Sequence, residues 1–131
     1  MKDLYTKTIA VQGIAAQLAT ATVTGSVVDL DGCNAAVAVF NVGSSLDAIT
    51  SDNLFEIGLT ECATSGGSYT AVSSADMIAP AGGLAISGGV AAVGYIGSKR
   101  YIKPVLTFSG THTSGAYVAA EVVKGDLLLA K

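Results

Sequence analysis

The sequence has no tryptophan, a single histidine, two cysteines and two prolines among its 131 residues. Each scarcity excludes something. His112, Cys33 and Cys62 lie far apart and cannot assemble a zinc site, which needs several such ligands. The cysteines lack CxxC spacing and are too few for a disulfide framework. Their expected role is that of two small buried apolar side chains, with a bridge between them left open. His112 stands between Thr111 and Thr113 in a predicted turn, where an imidazole is solvated and not held for nucleophilic catalysis.

Acidic chemistry is also thin. Glu56, Glu61 and Glu121 are the only glutamates, and no carboxylate pair of the glycosidase kind stands out. Glu56 and Glu121 read as outward-facing strand positions. A sharper reading makes them intersubunit partners of Lys99, Arg100 or Lys103, although surface pairs contribute little. Asp29, Asp31 and Gly32 look like the start of a calcium loop, but the later acidic positions and the distal Glu are missing. The glycine pairs at 66–67, 82–83 and 88–89 are followed by no GKS or GKT, so they are turns and not phosphate loops. No catalytic, cofactor-binding or metal-binding residue is expected, and the chain reads as non-enzymatic.

Charge is scarce too: 13% of residues are charged, and the net charge is −3. A nucleic-acid binder normally carries a basic balance. The one basic cluster, Lys99, Arg100 and Lys103, is too small to anchor such a reading. No charged residue lies between Lys7 and Asp29, or between Asp76 and Lys99. Gln12, Gln17, Pro80 and repeated glycines dilute both stretches, so neither reads as a membrane span. Met1-Lys2-Asp3-Leu4-Tyr5 lacks the basic-then-apolar layout of a signal peptide. The expected location is the cytoplasm in which the chain is made, or a larger assembly that leaves it.

What is present is small and apolar. Half the residues are hydrophobic, mostly Ala and Val, and 16 are glycine. This excludes a disordered chain and suits thin, closely packed sheets. Short extended runs broken by turn residues predict a single-domain, all-β antiparallel sandwich or jelly-roll-like barrel of about eight strands. Residues 1–18 form an N-terminal arm or first strand, and 19–131 the sandwich. Expected strands cover 6–11, 19–30 with a break at Gly25, 34–42, 53–62, 68–72, 89–96, 99–109 and 116–124, with an apolar tail at 127–130. Asp31-Gly32 predicts a hairpin. Helical turns are expected at 45–49 and at 74–78, the latter capped by Ser74. A helix over 10–21 is the one competing assignment. Pro104 places its strand at an edge or a bulge.

Three segments point to partners. Residues 34–42 are apolar on both alternations, so Val37 and Val39 face something other than the core. The segment 95–104 joins Tyr95 and Tyr101 to Lys99, Arg100 and Lys103, a composition enriched at protein interfaces and also usable for single-stranded nucleic acid or carbohydrate. The acidic net charge favours the interface. The third is the N-terminal arm, which could add a strand to a neighbour's sheet.

The run Gly94-Tyr95-Ile96-Gly97-Ser98-Lys99-Arg100-Tyr101-Ile102-Lys103-Pro104-Val105-Leu106 resembles a recurrent segment of small tailed-bacteriophage head proteins. Ala120-Glu121-Val122-Val123-Lys124-Gly125-Asp126 is similar in position and type. So is the order of a Val/Ala/Thr-rich arm, an Asp-Gly, an apolar strand and an alternating strand ending near 61. The resemblance spans most of the chain and is specific over roughly residues 94–126. It implies a capsid decoration (cement, or minor capsid) protein without catalytic residues. Its partners would be the phage major capsid protein and copies of itself, as a trimer. Its location would be the virion surface, and the host cytoplasm during assembly. The Gly- and Ala-rich loop 79–89 departs from the commoner pattern. Other virion parts, such as a connector, a tail subunit or a head-fibre base, and a carbohydrate-binding jelly roll using Tyr95, Tyr101 and Tyr117 are the alternatives.

Overall fold

A computed structural model of the chain describes residues 3–127. After a 3-10 turn at Tyr5–Lys7 come β1 (Ile9–Ala19), β2 (Val23–Thr24), β3 (Val28–Asp29), β4 (Cys33–Val42) and β5 (Phe55–Cys62). Next are β6 (Thr70–Ala71), a 3-10 turn at Ser74–Asp76, β7 (Met77–Ile78), β8 (Ala85–Ile86), β9 (Gly89–Tyr95), β10 (Tyr101–Phe108) and β11 (Ala116–Leu127). Two antiparallel sheets result. One has the order β1-β11-β4-β9-β7; the other runs β2-β10-β5-β6, with β3 also on β10 and β8 also on β5. The all-β antiparallel sandwich expected from the short extended runs is the fold observed, with eleven strands among the described residues where about eight were expected.

Period-two alternation decides which residues meet between the sheets. Phe55, Ile57 and Leu59 of β5, with Ile102 and Leu106 of β10, point inward from one sheet. Ala38, Phe40 and Val42 of β4, Val93 of β9, and Val118 and Val122 of β11 meet them from the other. The core side chains are mostly small or mid-sized, as the Ala/Val composition requires.

Several local expectations change. Residues 10–21 hold no helix; β1 pairs along β11 from Ile9↔Lys124 to Ala19↔Ala116, with register shifts after Gln12 and Ile14. β1 therefore begins at Ile9, after the 3-10 turn. The Asp31-Gly32 turn forms, with Gly32 at φ 83, but it is not a hairpin. It joins β3 in one sheet to β4 in the other, because β3 pairs with β10 and β4 with β11 and β9. A turn dipeptide sets the chain's reversal and leaves strand pairing open. Residues 45–49 form no helix, only a bend at 46–47. The 3-10 turn Ser74–Asp76 has Ser73 at its cap, with no side-chain capping bond. Apart from Leu127, the expected tail 127–130 lies outside the described residues.

Pro104 sits inside β10, not at an edge. Its carbonyl accepts the Gly25 N–H at 2.7 Å, so its ring nitrogen faces the same side, the gap between β2 and β3. A ladder hydrogen bond is not required there. Opposite it, Leu59 turns its carbonyl to Val72 N–H. The gap exists because the chain bulges at Gly25 to meet β1: Ser26 N–H donates to Gly13 O at 2.8 Å. A Cβ on Gly13 would lie 2.5 Å from the Pro104 ring, and one on Gly25 2.6 Å from Gly13 O. Two glycines and a proline thus close one side of the sandwich.

Candidate functional site

The two outward faces differ in chemistry. On the β10/β5 sheet, the side chains that alternate with the core residues are Glu56, Gly58, Thr60 and Cys62 of β5 and Tyr101, Lys103, Val105 and Thr107 of β10. This is the polar-out pattern usual for an antiparallel sheet. Tyr69 folds over it, and Lys103 Nζ lies 4.2 Å from the centre of its ring.

The β1/β11/β4/β9/β7 sheet has no such exterior. Its outward residues run in cross-strand rows: Ala10, Val123, Val37, Gly94 and Ile78; then Gln12, Glu121, Val39 and Ala92; then Ala119, Asn41 and Val90; then Leu18 and Tyr117. Glu121 is the one charge in these rows. Val90 and Tyr117 are 71% and 64% exposed, and Leu18, Ile78 and Ile96 are exposed as well. Two shallow hollows of about 410 Å³ each cross the face beside the irregular stretch of β1, floored by Ala119 and Asn41. No described segment covers this face. Val37 and Val39 lie here, as the doubly apolar strand implied, and are half-buried by their neighbours alone.

The segment 95–104 is divided by its own alternation. Tyr95 was expected at an interface, but β9 directs it inward with Val93, and it is 6% exposed. Its Oη donates to Glu61 Oε1 at 2.7 Å and accepts the Lys99 N–H at 3.0 Å. Burial and the Glu61 hydrogen bond push its phenol up to about 12. Arg100 is engaged within the chain: Nε and Nη2 donate to the two oxygens of Asp29, each at 2.9 Å, and Asp31 lies 3.8 Å away. The guanidinium holds the Asp29 carboxyl down at about 2. Lys124 Nζ donates to the Asp29 carbonyl at 3.1 Å, tying the two sheets together at this end. Lys99 is exposed, while Tyr101 and Lys103 belong to the polar face. Tyr95, Tyr101 and Tyr117 therefore lie in the core, on one outward face and on the other; they do not converge on a common ligand.

A third hollow, of about 430 Å³, lies between the 30–36 and 95–100 segments, bordered by Cys33, Tyr95 and Arg100. Cys33 and Cys62 are free and half-buried, on different sheets, and form no bridge. His112 departs most from expectation. It is 5% exposed, 5.0 Å from the Phe55 ring and 4.9 Å from Phe108, with Nε2 2.7 Å from Ser109 O. The short loop buries its imidazole because Asp47 pins it, accepting from Thr113 Oγ1, Ser114 N and Gly115 N. Those bonds, led by that from Gly115, hold the Asp47 carboxyl below the usual range. Among the described residues no group of three or more His, Cys, Asp or Glu could hold a metal ion. No described helix is long and apolar enough to cross a membrane.

Ile78 and Val90 were not singled out from sequence; Tyr117 was weighed only as a carbohydrate contact, and Leu18 only as the end of the N-terminal arm. The signal was available: the stretch between Asp76 and Lys99, which supplies β7, β8 and β9, carries no charged residue for a wet face.

No protein-family model matches the chain, and no curated protein is significantly similar to it.

Proposed function

We propose that this chain is a virion structural protein of a tailed bacteriophage. It acts as a capsid decoration, or cement, subunit that binds the assembled major-capsid lattice and stabilises the head without catalysis. The observation that carries this reading is the uncovered apolar exterior of the β1/β11/β4/β9/β7 sheet. A sheet face made mostly of Ala, Val, Leu, Ile and Tyr, with Gln12, Asn41 and one carboxylate among them, belongs in a subunit interface. The head-protein resemblance of residues 94–126 supplies the class of assembly. In this reading Lys99, Tyr101 and Lys103 are the side chains offered to the lattice. Binding to assembled but not free capsid subunits would stabilise the shell by mass action.

The test is co-sedimentation of the purified protein with undecorated heads and with unassembled major capsid protein of the phage that encodes it. Saturable binding to heads alone, at a copy number set by the lattice, is the expected result. A single small ring per particle would assign it to a connector or tail part, and no binding to either would remove the proposal.

A further inference from the structure

We infer that the outward face of the β1/β11/β4/β9/β7 sheet is where a second copy of this chain packs, face to face across a two-fold axis. The inference rests on the decoration reading in one respect. A subunit that binds only an assembled lattice must remain soluble until the lattice exists, and an exposed apolar sheet opposes that. The cover must therefore be available before assembly, and another copy meets that condition.

Area and side-chain size agree. Four strands spaced about 4.8 Å apart, over about eight residues of about 3.3 Å each, give roughly 500 Å² in projection, and the two residues of β7 add little. Side-chain relief adds to this, and a standard interface takes about 800 Å² of accessible surface from each partner. Val37, Val39, Ala92 and Ala119 are small, so two such faces can interdigitate at the spacing of packed sheets. An isologous contact also places the same patch on both sides. Glu121 opposes this occupant and so gives the test its sign. Among the described residues the face carries no cation, so in a self-contact its carboxylate loses water and gains no counter-charge. A basic partner surface would give the opposite balance.

The test is sedimentation equilibrium of the full chain, wild type and three variants, with far-UV circular dichroism to verify folding. The wild type is expected to be a dimer at micromolar concentration. Val39→Asp should weaken dimerisation by roughly a hundredfold or more. Ala92→Asp, on the neighbouring strand and exposed, guards against a folding defect specific to position 39 and should act likewise. Glu121→Gln should tighten the dimer by roughly tenfold. A monomeric wild type overturns the inference. So does an oligomer, including the trimer implied by the resemblance, whose mass ignores both aspartates. Weaker association of Glu121→Gln also overturns it, because it would place a cation opposite. Loss of head binding with an intact dimer would remove the decoration reading and leave this contact standing.

Discussion

Replacing Tyr95 by phenylalanine removes one oxygen atom and separates two accounts of the 95–104 segment. In the structure that oxygen serves the chain itself, donating to Glu61 and accepting from Lys99 N–H. A hydrogen bond to a charged group contributes about 1.5–3 kcal/mol. The phenol's rise from 10.0 to about 12 comes first from burial, which disfavours the phenolate, and so sets the pH dependence and not the neutral-pH value. The hydroxyl borders an open hollow, and water screens part of the hydrogen bond, so about 2 kcal/mol is the working figure. At this chain length that is a fall in Tm of roughly 8 °C. The pH dependence has a definite sign. The folded state holds the phenol protonated, so the stabilisation is complete below pH 10 and is lost as pH rises from 10 to about 12. Urea unfolding of both proteins between pH 7 and 12 checks this: the gap should be about 2 kcal/mol at neutral pH and should close toward pH 12. A gap under about 0.5 kcal/mol at neutral pH, or changed self-association with unchanged stability, would refute the reasoning and return Tyr95 to the interface.

Other outcomes follow from the same geometry. Phe55→Ala should cost about 3–5 kcal/mol in urea unfolding, since its fully buried ring supports both Phe108 and His112. Gly115→Ala should cost roughly 2–4 kcal/mol in the same assay, because φ is +74 and the new Cβ would lie 2.0 Å from Ala19 O. The Asp29–Arg100 pair is half-exposed, so Asp29→Asn should cost less than about 1 kcal/mol. The depressed Asp29 pKa makes that contribution present above pH 3.8 and lost as pH falls through about 2; acid titration of stability with and without the substitution reads it. Thiol titration of the denatured, unreduced chain should find both cysteines free, and none reacting would mean a bridge.

The fold class was legible because period-two alternation is written residue by residue: Phe55, Ile57 and Leu59 could point only one way. Strand partnership was not, because it depends on distant residues. The Asp31-Gly32 turn encodes a reversal but cannot specify whether the next strand joins the same sheet. The bulge at Gly25 makes sense only when Gly13 and Pro104 are seen beside it. His112 misled for a similar reason: its flanking threonines are polar and exposed, yet Asp47, 65 residues upstream by the numbering, draws the loop down so that the ring meets Phe55 and Phe108. On the candidate site, Val37 and Val39 were recognisable because a strand apolar on both alternations needs two covers. Tyr95 was misjudged because composition alone ignores parity.

The measurement that bears most directly on the proposed function is a cryo-EM reconstruction of the phage particle whose genome encodes this chain. The account predicts density for a β-sandwich repeated at equivalent positions on the capsid lattice, with the Lys99, Tyr101 and Lys103 side against the shell and the β1/β11/β4/β9/β7 face against another copy. A complete particle lacking that density, or holding the chain with its apolar sheet face open to solvent, would contradict it.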